Sequence, residues 1–299
     1  MKILLAVDGS KYSEGAAGFL TFLNLSEDDE ITVFHALYWS RFLYDEKSYR
    51  EAIKEIKRLF VPRVLDSALS ILGPVKAKIS TAVAEGPASQ TIMGRAAEAG
   101  MDLIVMGARG MGGVESILLG SVTRAVAIKS PIPVLVTRLP LSVRPGGMKI
   151  LFATDGSEYS VSTMKFLSSM PFPGNSEITV LNVMKPVFLD MYMPAFTPEI
   201  NERFIAVMEK ARESERAESG RIAGQARDYL SGRFRKTEVL SAEGDPTAEI
   251  LAASEAMKAD LIAVGCRGLT GIRGMMGSVS RNVLSHSKCP VLIGKMCED

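Results

Sequence analysis

Lys2-Ile-Leu-Leu-Ala-Val-Asp8-Gly-Ser-Lys-Tyr-Ser13 returns 147 residues later as Lys149-Ile-Leu-Phe-Ala-Thr-Asp155-Gly-Ser-Glu-Tyr-Ser160. Further along, Asp102-Leu-Ile-Val-Met-Gly107-Ala-Arg-Gly110 returns as Asp260-Leu-Ile-Ala-Val-Gly265-Cys-Arg-Gly268, now 158 residues on. Two stretches recurring in the same order mark a duplicated unit, and a repeat of this size constrains the architecture more than any local propensity. The second copy carries about 11 extra residues between these landmarks, and Glu85-Gly86 and Glu243-Gly244 already show the later offset. The insertion therefore precedes them, and Lys185–Pro198, rich in Met, Phe and Pro, is its expected place. The expected division is a first domain over 1–140 and a second over 147–299, joined by a linker over 141–146 that holds Pro145 and Gly146.

Each copy alternates strand and helix signals. Ile3–Val7 is a short, nearly unbroken apolar run, the pattern of a strand buried on both faces of a parallel sheet. Ser10 is placed to cap a helix reaching Asn24, in which Ala16, Phe19, Leu20 and Leu23 recur at helical spacing. Further strands are expected at Ile31–Leu37, Val75–Val83, Leu103–Met106 and Val134–Thr137. Helices separate them at Glu46–Leu72, stopped by Gly73-Pro74, then at Pro87–Ala99 and Ser121–Lys129. The second copy follows suit, with a longer charged helix from Pro198 to Tyr229 whose charges read as a solvated face. Alternating units with short turns predict an α/β fold: two repeated doubly wound five-stranded parallel-sheet domains with helices on both faces, Rossmann-like in class.

Composition narrows the function classes. The 299 residues are 47% hydrophobic and 23% charged, the balance of a globular chain rather than a disordered or collagen-like one. The formal net charge is +1, so no strong overall field favours nucleic acid or an anionic membrane surface. The 3 cysteines, Cys266, Cys289 and Cys297, are odd in number and lack CxxC spacing, which argues against a disulfide framework or a thiolate zinc site. Two histidines are too few for a histidine-rich metal site. The opening apolar run, stopped by Asp8, is too short for a signal sequence or a membrane span, and a cytoplasmic location is expected.

The chemistry is expected where the fourth strand ends. Gly107-Ala-Arg-Gly110 is followed, nine residues later, by Gly120-Ser121-Val122-Thr123 opening a helix. Glycines let a backbone with exposed N–H groups approach a phosphate closely. A helix N-terminus adds unpaired donors and the positive end of the dipole, and Ser121 adds a hydroxyl. In an open parallel sheet a ligand binds at the strand ends where the winding reverses. Asp8 ends strand one and Gly107 ends strand four, so the two meet if those strands are neighbours. Each feature alone is also an ordinary turn or helix cap; their co-occurrence, nearly duplicated in the second copy, is the signal. The pattern is neither a Walker A loop nor Gly-x-Gly-x-x-Gly.

At these residues the chain resembles a tandem universal stress protein of the ATP-binding branch, over essentially its whole length. The motif of that branch is Gly, two residues, Gly, nine residues, Gly, then Ser or Thr, and Gly107, Gly110, Gly120 and Ser121 match it. The resemblance implies an adenine nucleotide alpha hydrolase-like fold with ATP as ligand. Asp8 and the backbone around Ala36 would meet the adenine, while Met106 and Gly107 line base and ribose. Gly110, Gly120, Ser121 and Val122 would hold the phosphates, with Mg²⁺ or Mn²⁺ between phosphate oxygens. The corresponding second-copy residues are Asp155, Val183, Val264, Gly265, Gly268, Gly277, Ser278 and Val279. There only eight residues, Leu269–Met276, precede Gly277, so the phosphate loop is shorter or the helix start is rotated.

Several residues carry two readings. Arg109, Arg267, Arg124 and Arg281 are placed either to neutralise phosphates or as exposed side chains. His35 ends strand two beside the expected base pocket, with Asn182 replacing it in the other copy, and reads as a core or edge histidine; His286 falls late in a helix. Met101, Met106, Met111, Met275 and Met276 read as core or pocket filling. Met184, Met191 and Met193, with Phe188 and Tyr192, form either a lid over the second site or a surface packed on the other domain. Three functions follow: a nucleotide-dependent stress-response regulator, a slow Mg-dependent ATP hydrolase, or a nucleotide-free scaffold. In the family, fifth-strand edges pair antiparallel across a dimer. Here Pro133–Arg138 and Pro290–Lys295 are expected to pair within one chain as a pseudo-dimer, leaving a further homodimer open.

Overall fold

The computed structural model describes residues 1–38, 47–110, 119–141, 146–185, 202–269 and 276–296. The first copy runs β1 (Lys2–Ala6), α1 (Lys11–Leu20), β2 (Glu30–Leu37), α2 (Lys47–Leu72), β3 (Lys78–Glu85), α3 (Ala88–Glu98), β4 (Leu103–Gly107), α4 (Ser121–Lys129) and β5 (Val134–Thr137). The second runs β6 (Lys149–Ala153), α5 (Glu158–Ser169), β7 (Glu177–Met184), α6 (Glu202–Leu230), β8 (Lys236–Glu243), α7 (Pro246–Ala256), β9 (Leu261–Gly265), α8 (Ser278–His286) and β10 (Val291–Gly294). Among the described residues no helix is long and apolar enough to cross a membrane.

Local chemistry sets these elements. Ser10 and Ser157 cap α1 and α5 by accepting from the amides of Ser13 and Ser160. The central strands β4 and β9 are buried at every residue, as their unbroken apolar runs require. Two expected boundaries move. Helix α1 ends at Leu20 rather than Asn24, because Thr21, Phe22 and Leu23 bond three residues back. Leu23 stays buried, so the apolar spacing persists beyond the α-helix. Strand β3 begins at Lys78 rather than Val75, since Gly73 and Val75 are used in the turn that closes α2. Of the residues expected to form a lid or an interdomain surface, Met184 ends β7, whereas Phe188, Met191, Tyr192 and Met193, with the expected start of α6 at Pro198, lie outside the described residues.

The strands form one sheet in the order β3-β2-β1-β4-β5-β10-β9-β6-β7-β8. Each half is parallel, and the halves join through an antiparallel β5–β10 pair with Val291 opposite Val136, Leu292 opposite Leu135 and Ile293 opposite Val134. The expected pairing of the fifth strands within one chain is therefore present. One apolar layer, including Phe19, Leu20, Val33 and Leu72, packs under α1 and α2. The other, including Phe34, Ile92, Met106 and Val126, packs under α3 and α4.

Two buried cations hold the junction. Arg138, just past β5, donates to the carbonyls of Leu284 and Ser285 at the end of α8. Lys295, just past β10, donates to the carbonyls of Ala127 (2.8 Å) and Ile128 (3.4 Å) at the end of α4. The last carbonyls of a helix lack intrahelical donors and attract positive charge. Each half thus completes the other half's helix.

Candidate functional site

The winding reverses between β1 and β4. From β1 the chain moves outward through β2 and β3, then crosses back to pair β4 with the free side of β1, Ala6 opposite Met106. A crevice opens there at the carboxyl ends of the strands. Its volume is about 870 Å³, within the range of small-molecule sites.

Close backbone approach explains the glycines. A Cβ on Gly107 would sit 2.6 Å from the backbone carbon of Tyr12, because the first turn of α1 rests on the end of β4. On Gly110 it would sit 2.4 Å from Oδ2 of Asp8. The Asp8 carboxylate also accepts from the Ser10 amide at 3.0 Å, which fixes it against the turn. Gly120 donates its amide to the Ala108 carbonyl at 2.8 Å, and buried Thr123 donates its hydroxyl to the Gly107 carbonyl at 2.8 Å. The start of α4 is thereby fastened to the glycine turn. As N-cap, Gly120 supplies no side-chain acceptor, and no acidic residue occupies the first turn. The helix end keeps its positive character toward the crevice.

Asp8, Ala36, Met106, Gly107 and Arg109 all line this cleft, as do Gly110, Gly120, Ser121 and Val122. The nine first-copy residues expected from sequence are thus gathered around one hollow. Its floor adds Phe34, Ile92 and Leu119, each buried, which the motif did not reveal. Phe34 was accessible to reasoning, since it lies two residues from Ala36 on the same strand face. Ile92 comes from α3 and carries no local signal.

The arginines divide. Arg109 reaches the cleft, yet its guanidinium donates to the Tyr12 hydroxyl at 3.0 Å and stands over that ring, 5.4 Å from the centroid. Arg267 makes the same contact with Tyr159, 4.9 Å from its ring centroid. Arg124 lines the cleft, whereas Arg281 donates to the Met276 carbonyl at 2.9 Å. His35 is buried on the face of β2 opposite Ala36, its Nδ1 bonded to the Val7 carbonyl at 2.7 Å, so it is a core residue. His286 bonds to the Asn282 carbonyl at 2.9 Å near the end of α8. Met101, Met106 and Met276 are buried, and Met106 forms part of the cleft wall; Met111 and Met275 lie outside the described residues. Among the described residues no three His, Cys, Asp or Glu side chains converge as a metal site.

The second copy reproduces the frame. A Cβ on Gly268 would lie 2.5 Å from Oδ2 of Asp155, and Gly277 donates to the Cys266 carbonyl at 2.9 Å. Ser280 donates to the Gly265 carbonyl at 2.6 Å, as Thr123 does to that of Gly107. The caps agree as well, with φ −65° and ψ 152° at Gly120 against −61° and 155° at Gly277. The one-residue deletion therefore does not rotate the helix start; residues 270–275 lie outside the described residues. Asp155 accepts from the Ser157 amide (3.0 Å) and hydroxyl (2.6 Å) and from the Leu269 amide (3.1 Å). Val264 is buried within the same apolar layer, and Val183 and Val279, partly buried, pack against it; Ser278 opens α8. Cys266, in the place of Ala108, is buried, and burial pushes its thiol above the ordinary range against the pull of Lys295 and Arg267. A wider groove, about 1480 Å³, runs between the copies and takes in Gly268, Arg267, Tyr159 and Lys295. Asp155, Gly265, Gly277 and Ser278 are not among the residues lining it.

The model of the universal stress protein family matches residues 1–138 and again 148–295. Over 146 residues the chain is 30% identical to universal stress protein YxiE of Bacillus subtilis, covering 48% of this chain and 97% of that protein. A universal stress protein of Thermus aquaticus is 31% identical over 145 residues, covering 48% and 96%. The solved universal stress protein of Archaeoglobus fulgidus aligns with 100% of this chain and 97% of its own, with a TM-score of 0.62 at 22% identity, a likeness of fold.

Proposed function

The chain belongs to the universal stress protein family, as two tandem copies, and from that premise we propose that its N-terminal half binds ATP in the cleft between β1 and β4. The observation that carries this reading is the convergence of Asp8, the Gly107–Gly110 turn and the uncapped start of α4 on one hollow with an apolar floor. A purine fits between Phe34, Ile92 and Met106, beside Ala36 and Asp8. The triphosphate fits against Gly110 and the amides of Ser121 and Val122, where backbone donors and helix dipole favour anions. A divalent cation would be held through phosphate oxygens and would neutralise their charge. The protein's part is to bind and orient, and the family's stress-response role makes nucleotide occupancy a signal.

The reading extends to the second copy through Asp155, Val183, Val264, Gly265, Gly268, Gly277, Ser278 and Val279.

Mass spectrometry of protein denatured after gentle purification tests the proposal. Co-purified adenine nucleotide, together with a melting temperature that climbs with Mg-ATP concentration, is the expected result. Absence of nucleotide combined with no thermal shift in millimolar Mg-ATP would overturn it. Calorimetric stoichiometry then separates one site from two.

A further inference from the structure

Strand β2 pairs with β1 through its even-numbered residues. The Glu30 amide donates to the Met1 carbonyl, and the Val7 amide donates to the Phe34 carbonyl, each at 2.9 Å. The next rung of this parallel ladder would carry the Ala36 amide to the Val7 carbonyl. That rung is not made. The Val7 carbonyl accepts instead from Nδ1 of His35 at 2.7 Å, and among the described residues no hydrogen bond takes up the Ala36 amide. A carbonyl can only accept, so Nδ1 carries the hydrogen. The imidazole is buried and set edge-on against Phe60 of α2, with ring centroids 6.2 Å apart. Ala36 itself stands in the wall of the cleft.

The second copy makes the same arrangement with different chemistry. Asn182 occupies the position of His35, and its Nδ2 donates to the Thr154 carbonyl at 2.7 Å. Ser219 donates to Oδ1 of Asn182 at 2.6 Å and so fixes which end of the amide faces the strand. The Thr154 amide donates to the Leu181 carbonyl at 2.9 Å, and the rung from Val183 to Thr154 is again missing. An imidazole and a carboxamide share little beyond a donor at this reach. Capture of one carbonyl is therefore the common property of the position.

We propose that His35 is a positioning residue for the cleft: by taking the Val7 carbonyl it ends the β1–β2 ladder one rung early and leaves the Ala36 N–H to donate to a ring nitrogen of a bound purine. The inference rests on the nucleotide reading above and deepens it, since it names the side chain that makes a backbone donor available. A buried carbonyl deprived of its donor seeks another, and Ala36 is the nearest in ladder register. In a His35→Leu protein the rung closes and the base loses its donor.

Amide hydrogen exchange of the full chain, resolved at Ala36 by NMR, tests this together with Mg-ATP titration. In the ligand-free wild type the Ala36 amide should exchange freely, and Mg-ATP should protect it. His35→Leu should protect that amide without nucleotide and weaken Mg-ATP by about threefold to tenfold, the range for one lost hydrogen bond. His35→Asn, which copies the second half, should restore both properties. Asn182→Leu should leave the N-terminal site unchanged. An Ala36 amide already protected in the ligand-free wild type overturns the inference, even if His35→Leu does not fold. So does a folded His35→Leu protein that binds Mg-ATP like the wild type. If the wild type binds no nucleotide, the functional reading fails instead, while the ligand-free exchange comparison still decides whether His35 governs the rung.

Discussion

Alanine at Gly110 isolates the contact on which the cleft depends. The new Cβ would stand 2.4 Å from Oδ2 of Asp8, against an ordinary separation of roughly 3.5 Å. The carboxylate must therefore retreat by about 1 Å. That movement strains its bond from the Ser10 amide, now 3.0 Å. A fully lost hydrogen bond to a charged group costs about 1.5–3 kcal/mol; Asp8 is only half-buried and water replaces part of it, so about 1 kcal/mol is expected. For a chain of this size the melting temperature falls by about 2 °C. The φ of Gly110 is not left-handed, so the cost is one of contact rather than backbone strain. Binding should suffer more, because the displaced carboxylate and the added methyl both intrude on the ligand: at least about tenfold in Kd, equivalent to ~1.4 kcal/mol. Gly94→Ala is the control, since nothing lies within 4 Å of its Cβ and it sits inside α3; it should gain about 0.5–1 kcal/mol and bind normally. Calorimetry with Mg-ATP and differential scanning fluorimetry read both effects. Should Gly110→Ala melt and bind like the wild type, the glycine serves a turn only, and the contact between Gly110 and Asp8 has no part in holding the ligand.

Other substitutions probe neighbouring contacts. Tyr12→Phe keeps the ring under Arg109 but removes the hydroxyl that accepts from it; stability should fall by about 0.5–1.5 kcal/mol in urea unfolding, while Mg-ATP should bind more tightly as the guanidinium turns to phosphate. Weaker binding in that protein would mean that Arg109 acts from its present position. Thr123→Val leaves the buried Gly107 carbonyl without its hydroxyl donor and should cost about 1–3 kcal/mol, with a Kd raised by loosening of the α4 start; a neutral effect in both assays would show that the turn holds itself. Lys295→Met strips a donor from the end of α4 and should cost about 1–3 kcal/mol at neutral pH. Burial holds the Lys295 ammonium below the ordinary 10.5, with Cys266 opposing and Arg267 adding to the shift. The unfolded chain therefore binds the proton more firmly, and this group's contribution to stability rises with pH through the depressed value up to 10.5. Urea titrations at stepped alkaline pH should show the wild-type advantage over Lys295→Met widening and then levelling; a narrowing gap would contradict the sign.

The repeat made the fold legible because unbroken apolar runs such as Leu103–Met106 leave little choice but a strand buried on both faces. The cleft was legible for a different reason. Gly107 and Gly110 are glycines because Tyr12 and Asp8 leave no room for a side chain, and that steric demand is written directly into residue identity. What escaped were relations across the fold. Ile92 enters the floor from a helix whose sequence says only that one face is buried. The alternation of β2 places His35 away from the base pocket rather than beside it, yet its carbonyl partner is 28 residues distant in sequence. The missing residue left either a shorter loop or a rotated helix open, and the bonds from Gly277 to Cys266 and from Ser280 to Gly265 fix that helix in the same setting as in the first copy. Nothing in the sequence sets Arg138 and Lys295 apart from other cations, because their partners lie in the other copy.

Those two cations bear on why the copies remain in one chain. Antiparallel pairing of β5 with β10 brings the end of each strand beside the last turn of the other copy's final helix. The Ala108 amide, in the first glycine turn, bonds to the Thr137 carbonyl, and the following residue, Arg138, holds the end of α8. The Cys266 amide, in the second turn, bonds to the Gly294 carbonyl, and the following residue, Lys295, holds the end of α4. Each turn is thus one hydrogen bond from the strand whose next side chain fastens the other copy's last helix. Separating the halves would leave carbonyls at the ends of both helices without these donors and would bare the apolar flanks of β5 and β10, which are buried throughout. The junction is consequently a shared support for the last helix of each copy, and a half-chain would lose the far anchor of its own last helix.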